Sequence, residues 1–423
     1  MTQLSSMAEN LKGSEIIKLA GEIKEKISQG EEIYNFTIGD FDPEIFPIPE
    51  KYKQAIIDAY NQGETNYPAA NGIAELRKSL SQFIAQEQHL TYPPEQFLVA
   101  GGARPLIYAA YQAIVEKDEK VLFPVPSWNN NHYTHLSGAK QIAIQTTAAN
   151  NFMPTAAEIK PHLSQVGLVA LCSPLNPTGT VFGEKDLRDI CEAILEENRK
   201  RGNGKPVYLL YDQIYWSLTH GKTKHLDPVS LCPEMKDYTL YIDGLSKSLA
   251  ATGVRVGWAF GPQKLINAMK SILGHIGAWA PKAEQVASAA YFSNLTELNE
   301  FLGGFKQEIH ERLSAFYGGM KGLKDKGFPV DAIAPQAAIY LTVKFDLCGK
   351  SFEGKPLQNM QEVTQFLLNE AGLAVVPFYA FGAPEDSPWF RLSVGTAKHE
   401  DIKACFEKLE NALSKLVRAS VSA

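Results

Sequence analysis

With 423 residues, a formal net charge of −6, 45% hydrophobic and 21% charged residues, the chain is long enough for two or three domains and has an ordinary globular composition. So mild an acidic balance, with its one dense basic group (Arg199-Lys200-Arg201 and Lys205) closing a predicted helix, excludes nucleic acid and acidic membrane surfaces as partners. Five scattered cysteines without a C-x-x-C pair, nine histidines without ligand spacing, no signal peptide and no run of about 18 apolar residues predict a reduced, cytoplasmic protein with no disulfide framework, no metal and no membrane span.

In chain order, short apolar runs alternate with longer amphipathic ones from about residue 97 to 260. Strands are predicted at Phe97-Leu98-Val99, Val121-Leu122-Phe123, Val166 to Leu171, Val207 to Tyr211, Thr239 to Ile242 and Val256 to Phe260. Helices are predicted between them, most clearly Pro105 to Glu116 and Glu184 to Lys200. The second carries Leu187, Ile190, Ala193-Ile194 and Asn198 at helical spacing and stops at Gly202 and Gly204. Alternating strand and helix with continuously apolar strands predicts an α/β fold, its mainly parallel sheet covered on both faces. Beyond about residue 290 the pattern changes to an α+β unit. It has a long helix from Leu295 to about Lys326, a strand at Ala338 to Val343 and a helix at Met360 to Glu370. Strands near Leu373 to Val376 and Phe390 to Val394 follow, then a last helix from His399 to about Val417.

Open parallel sheets bind ligands at the carboxyl ends of their strands, so the residues just after each strand carry the functional signal. The run Thr239 to Asp243 is closed by Gly244 and followed by Ser246-Lys247, with Arg255 eight residues beyond the lysine. An amine that can condense with an aldehyde, and a guanidinium that grips phosphate in a fork, together suit an aldehyde cofactor bearing a phosphate. The strand ending at Tyr211 delivers Asp212, then Tyr215 in Asp-Gln-Ile-Tyr; such a carboxylate can hold a proton on a heteroaromatic nitrogen. The strand ending at Leu171 delivers Asn176-Pro177-Thr178-Gly179, whose Asn can donate to a phenolate oxygen. Gly101-Gly102-Ala103-Arg104-Pro105 puts small residues and a proline at a helix start, an anion site in the making. Pro124-Val125-Pro126-Ser127-Trp128 offers an aromatic for stacking on a planar ring. Taken singly, each could be a solvated cation, a helix cap, an ordinary turn or a core aromatic. Five in succession at strand ends make coincidence a poor explanation.

Asn176-Pro177-Thr178-Gly179, Asp212-Gln213-Ile214-Tyr215, Ser246-Lys247 with Arg255, and Arg391-Leu392-Ser393 together resemble the class I/II aminotransferases, fold-type I pyridoxal-phosphate enzymes related to aspartate aminotransferase. The resemblance covers nearly the whole chain, from Asn35-Phe36-Thr37-Ile38-Gly39-Asp40 through Tyr67-Pro68 and Leu76-Arg77 to beyond Arg391. It implies a seven-stranded-type sheet in a large cofactor domain at about 50–300, with a smaller α+β domain from 1–49 and 301–423. It implies transamination between an α-amino acid and a 2-oxo acid, with 2-oxoglutarate the usual acceptor, by a ping-pong route in a homodimer. The resemblance makes Lys247 the residue that carries pyridoxal 5′-phosphate and shuttles the substrate Cα proton. Asp212 pairs with the ring nitrogen, Tyr215 and Asn176 bond the ring oxygen, and Trp128 stacks on the ring. Ser246, Arg255, Gly102, Ala103 and Arg104 surround the phosphate, with Tyr67 reaching it from the partner subunit. Arg391 takes the substrate α-carboxylate beside the backbone N–H of Gly39, with Asn176 and Trp128 nearby.

Two departures bear on substrate. The family often has Ser or Thr three residues before the lysine, where this chain has Gly244, and Arg104 stands where relatives carry a small or neutral residue. Arg104 is therefore expected either to replace the missing phosphate contact or to touch substrate. Trp279, in His275 to Pro281, and Asn131, in the polar run Asn129 to His132, are the expected pocket lining. Other chemistry on the same scaffold stays open, namely β-elimination or cyclisation of an adenosyl sulfonium substrate. A cofactor-sensing regulatory domain is disfavoured, since no basic recognition helix precedes Gly39. A dinucleotide dehydrogenase is also disfavoured, since no G-x-G-x-x-G follows a first strand.

Overall fold

A computed structural model of the chain describes residues 4–11, 13 and 15–418. Seven strands build its central sheet: β1 (Phe97–Ala100), β2 (Lys120–Val125), β3 (Lys140–Gln145), β4 (Val166–Cys172), β5 (Tyr208–Asp212), β6 (Thr239–Gly244) and β7 (Gly257–Phe260). They lie in the order β1-β7-β6-β5-β4-β2-β3, every neighbouring pair parallel except the two made by β7. The sheet has apolar residues on both faces because helices cover both. On β4, Leu168 and Ala170 pack with Leu106, Ala110 and Met269 of helices Ala103–Ile114 and Gln263–Ile276. Their neighbours Val169 and Leu171 point the other way, into the core that holds Leu187, Ile190 and Ile194 of helix Glu184–Arg201. Side chains that alternate between two buried faces produce the unbroken apolar runs seen in the sequence.

The expected strands are all present, and β3 is an addition. Lys140-Gln141-Ile142-Ala143-Ile144-Gln145 is the outermost strand, and only Ile144 on it is fully buried. An edge strand facing water has little apolar signature to read.

The second unit is a four-stranded antiparallel sheet in the order Val376–Pro377, Trp389–Ser393, Tyr340–Phe345, Val330–Ala332. Helix Leu295–Asp325, 31 residues and so about 46 Å long, packs on both units. The last helix, expected to reach about Val417, ends at Ser414, and Val417–Arg418 pairs instead with Lys350–Ser351. Two strand boundaries also differ from expectation. The strand expected at Ala338 begins at Tyr340, because Ala338 has a left-handed φ of 60° and its N–H turns away to Leu218 O. The single strand expected over Leu373 to Val376 is two. Leu373–Ala374 pairs in parallel with Tyr34–Asn35, while Val376–Pro377 joins the antiparallel sheet beside Trp389–Ser393. Among the described residues no helix is long and apolar enough to cross a membrane.

Candidate active site

Because β4, β5 and β6 run parallel in register (Cys172 opposite Asp212, Asp212 opposite Ile242), their carboxyl ends share one edge of the sheet. The chain leaving each end turns over that edge. There it meets Gly39 and Asp40 from the N-terminal segment and Tyr340 and Arg391 from the second sheet, enclosing a cavity of about 630 Å³. Of the residues singled out in the sequence, Lys247, Asp212, Tyr215, Asn176, Trp128, Ser246, Arg255, Ala103, Arg104, Arg391 and Gly39 all line this cavity.

One end of the cavity is built for an anion. Helix Ala103–Ile114 starts there with no side-chain cap, so the N–H groups of its first turn are free for a ligand. Gly102 precedes it with φ of 97°, and a Cβ at Gly102 would lie 2.4 Å from Nη2 of Arg255. The missing side chain is what lets the guanidinium sit against the helix start. Arg255 itself holds a left-handed φ of 63° and is steadied by donating to Thr252 O at 2.7 Å and Gly101 O at 2.9 Å.

In the middle, Asp212 accepts only from the backbone N–H of Ile214, at 3.1 Å, and burial pushes its carboxyl up to about 6. Lys247, on the short helix Leu245–Ser248, donates to Gly39 O at 2.6 Å. Burial holds its ammonium down to about 8; Asp40 pulls it upward, and Arg391, Arg104 and Arg255 push it further down. The Tyr215 hydroxyl meets that of Tyr340 at 2.7 Å, and burial raises its pKa well above the ordinary value, so it stays protonated.

The far wall holds Arg391, 2% exposed, on strand Trp389–Ser393. It donates to Thr37 O at 2.6 Å and Asn176 Oδ1 at 3.1 Å, and it lies over the rings of Tyr340 and Phe381 at 4.7 and 5.0 Å. Among the described residues its Nε has no partner, and no carboxylate pairs with it. A Cβ on Gly39 would lie 2.8 Å from the Tyr340 hydroxyl and 3.4 Å from Arg391 Nη1, so only glycine brings its backbone this close.

Three residues expected in the site, Trp279, Asn131 and Gly102, fall outside the cavity. Trp279 and Asn131 do not line it; Asn130 does, fixed by Tyr111 and Ser127, while Trp279 packs edge-on against Tyr67 at 5.0 Å. The loop 275–281 lies against Gly101, whose N–H donates to Ala278 O at 2.9 Å, but turns the Trp279 ring to Tyr67, and Asn131 sits a third of a turn round its helix from Asn130. Tyr67 is 82% exposed, and Gly102 lies beneath Arg255 without lining the cavity. Sequence reading missed Tyr340 and Asp40. The first lies in an apolar strand run, where its hydroxyl carries no signal. The second was passed over as part of the Gly39 segment, although its carboxylate holds Thr252 Oγ1 at 2.7 Å. The one cluster with metal-ligand spacing among the described residues, Glu308, Glu311 and His399, is exposed and elsewhere.

The charges define what fits. Asp212, Lys247, Arg255 and Arg391 are each partnered only by backbone or neutral side-chain atoms. A ligand set with two anionic groups and one protonated nitrogen would complement them.

A family profile described as aminotransferase class I and II matches residues 31–409. The aspartate aminotransferase of Bacillus subtilis (strain 168) is 27% identical over 418 residues, 98% of either chain. That of Rhizobium meliloti (strain 1021) is 29% identical over 421 residues, covering 98% of this chain and 97% of its own. The crystal structure of a Rhizobium meliloti aspartate aminotransferase superposes with a TM-score of 0.90 at 28% identity, covering 99% of this chain and all of the other. With the profile spanning most of the chain and the fold superposing along nearly its whole length, the chain belongs to the class I and II aminotransferase family and is a transaminase.

Proposed function

We propose that this transaminase works through pyridoxal 5′-phosphate carried on Lys247, passing the amino group of an α-amino acid to a 2-oxo acid, with 2-oxoglutarate the expected acceptor. The observation that carries the reading is the set of unpaired charges: Arg255 for a phosphate, Asp212 for a ring N–H, and Arg391 for an α-carboxylate. When bound, the cofactor supplies an aldehyde for amines and a ring that withdraws the electron pair left as Cα loses its proton. The protein's own residues do the rest. Arg391 and the Gly39 N–H orient the substrate by its carboxylate, and a planar fork does this as no lysine could. Lys247, freed when the substrate's amine takes its place and with its ammonium held down to about 8 by burial, would take the Cα proton and return it to the former aldehyde carbon. Because Asn176 Oδ1 already accepts from Arg391, its amide N–H₂ is the end left to bond a ring oxygen. We place the Tyr215 hydroxyl, bonded to that of Tyr340 at 2.7 Å, at the same ring oxygen. Trp128 flanks the ring, and Ser246 and Ala103 border the phosphate, with Gly102 beneath Arg255. We read the chain as a larger unit over about 50–300 and a smaller one from 1–49 and 301–423, located in the cytoplasm, where its five free cysteines stay reduced.

Borohydride reduction followed by peptide mapping is expected to place the pyridoxyl label on Lys247, and Lys247→Ala is expected to bind cofactor without turning over. A label on any other lysine refutes the assignment.

Asp212 generates a pH signature. In protein stripped of cofactor its carboxyl lies near 6 against an ordinary 3.8, so the folded state binds that proton more tightly than the unfolded state. Asp212 therefore costs stability as pH rises above the ordinary value, with the full cost present above about 6. The thermal midpoint of stripped wild type should rise from pH 7 to pH 5 more steeply than that of Asp212→Asn, and added cofactor should erase the difference. Equal slopes would count against the pairing. In turnover, Asp212→Ala is expected to lose about 4 kcal/mol of transition-state stabilisation, roughly a thousandfold in rate.

A homodimer follows from Tyr67 and its surroundings. Tyr67, Ile57, Tyr60 and Ile276 are all exposed apolar residues, and a second copy covering them would bring Tyr67 to the partner's phosphate. Light scattering should give two chains per particle. Mixing inactive Lys247→Ala with a Tyr67→Phe variant should restore activity through hybrids with one intact site, and an active monomer would rule the arrangement out.

For Arg104 the geometry supports substrate contact over phosphate contact. Its guanidinium is exposed and lies 5.5 Å over the Trp128 ring, while Arg255 occupies the place against Gly102. We assign it the distal carboxylate of a dicarboxylic amino acid, in keeping with relatives named for aspartate. Arg104→Gln should lose about tenfold or more in kcat/KM on aspartate and little on a neutral amino acid. An equal loss on both, with weakened cofactor retention, would return it to the phosphate.

A further inference from the structure

Six charged side chains line the active-site cavity: the carboxylates of Asp40 and Asp212, and the cations of Lys247, Arg104, Arg255 and Arg391. The function proposed above gives Asp212 to a ring N–H, Arg255 to a phosphate, and Arg391 and Arg104 to the two carboxylates of the substrate. Once those ligands are in place, Lys247 is the cation still without an opposite charge, and Asp40 is the anion still without a task.

Asp40 is fixed from two sides of the cavity. Its backbone is pressed against the turn after strand Trp389–Ser393: Asp42 N–H donates to Gly395 O at 2.9 Å, and a Cβ on Gly395 would lie 1.9 Å from Asp40 O. Its side-chain Oδ1 accepts from the Phe41 N–H at 2.8 Å and from the Thr252 hydroxyl at 2.7 Å. Among the described residues Oδ2 accepts from nothing, and the carboxylate forms no ion pair. Thr252 lies on the loop leaving Lys247, between the left-handed residues Ala250 (φ 51°) and Arg255 (φ 63°), and its carbonyl oxygen holds Arg255 Nη1 at 2.7 Å. The carboxylate is thus clamped by one oxygen while its charge stays unanswered. The adjacent residue, Gly39, is the one whose oxygen anchors Lys247 Nζ at 2.6 Å.

Lys247 needs an anion there. Burial lowers its ammonium to about 8 and Arg391, Arg104 and Arg255 push it down further, while Asp40 pulls it upward. The Tyr215 ring, 5.8 Å from Nζ, and its partner Tyr340 are neutral, since burial raises both hydroxyls. A phosphate and two carboxylates would offset the three guanidiniums and leave the pull of Asp40 in force. An amine that must take a proton from carbon gains from this, because a weaker base is a poorer proton acceptor.

We propose that Asp40 is a positioning residue for Lys247, a clamped carboxylate whose charge keeps that nitrogen ready to hold a proton. The inference rests on the pyridoxal-phosphate reading above. Both donors meet Oδ1, so in Asp40→Asn the amide oxygen can keep both hydrogen bonds while the N–H₂ takes the unpartnered place; the charge goes and the clamp stays.

The test is a pH titration of the holoenzyme, with the visible absorbance of the cofactor reporting the proton on the Lys247 nitrogen. Removing a negative charge makes a protonated nitrogen easier to deprotonate. The midpoint in Asp40→Asn is therefore expected to fall by about half a unit or more, and to return toward wild type in Asp40→Glu. Thr252→Val, which keeps the charge and loses the clamp, is expected to move the pH midpoint less and to lower the thermal midpoint more. Asp40→Ser serves if Asp40→Asn misfolds, as read by circular dichroism. An unchanged or raised pH midpoint in Asp40→Asn, with borohydride still labelling Lys247, overturns the proposal and leaves the cofactor reading standing. A wild-type label on another lysine overturns both.

Discussion

Charge buried without counter-charge is the constraint on which this molecule turns. A guanidinium as buried as Arg391 is costly to remove from water, and here no carboxylate offsets that cost. The surroundings substitute dipoles and ring faces: Thr37 O, the Asn176 amide oxygen, Tyr340 and Phe381. They hold the cation in place but leave Nε unpartnered. Asp212 is the same arrangement with opposite sign, held by a single backbone N–H. Each site keeps an electrostatic demand that only a ligand meets, and a dry, preorganised demand of this kind acts far more strongly than the same charges in water.

The sheet supplies the rigidity this requires. Parallel strands place their carboxyl ends in one row, so Asp212 and the lysine loop are positioned by a core apolar on both faces. The residues that close the cavity come from far away in sequence and meet it through hydrogen bonds: Lys247 donates to Gly39 O, and the Thr252 hydroxyl to the Asp40 carboxylate. Gly39 and Gly102 serve the same end, each letting a guanidinium approach main chain where a methyl group would collide.

How much of this was legible in the sequence depended on what each residue's signal rests on. Asp212, Asn176 and Lys247 were readable because each follows an apolar run that predicts a strand end, and strand ends are where ligands bind. The edge strand Lys140–Gln145 was not, because water-facing residues satisfy no core pattern. Tyr340 was invisible for the opposite reason: beside Ile339, Leu341 and Val343 a tyrosine looks like packing, and its hydroxyl contact with Tyr215 is a fact of tertiary structure. Trp279 was placed in the pocket by position in the chain, whereas the loop bearing it turns to Tyr67 at the surface. The Ala338 turn lay beyond reach too, since alanine gives no warning of a left-handed φ.

The divided strand at Leu373 to Pro377 has a consequence for how this chain can vary. A single residue, Val375, separates the stretch paired with Tyr34–Asn35 from the stretch paired with Phe390 and Arg391. The N-terminal segment is tied into both, since Phe36 N–H donates to Ala374 O and Ser393 N–H to Phe36 O. The spacing between Thr37 and Gly39 on one side and Arg391 on the other is therefore gauged by the length of that one connection. A residue gained or lost there would slip one pairing against the other and turn every side chain on the slipped strand to the opposite face. Amino-acid identity in this stretch can drift within apolar limits, but its length cannot. Insertions tolerated during divergence belong instead in turns such as Glu353-Gly354, the tip of the hairpin between Lys350–Phe352 and Lys355–Pro356.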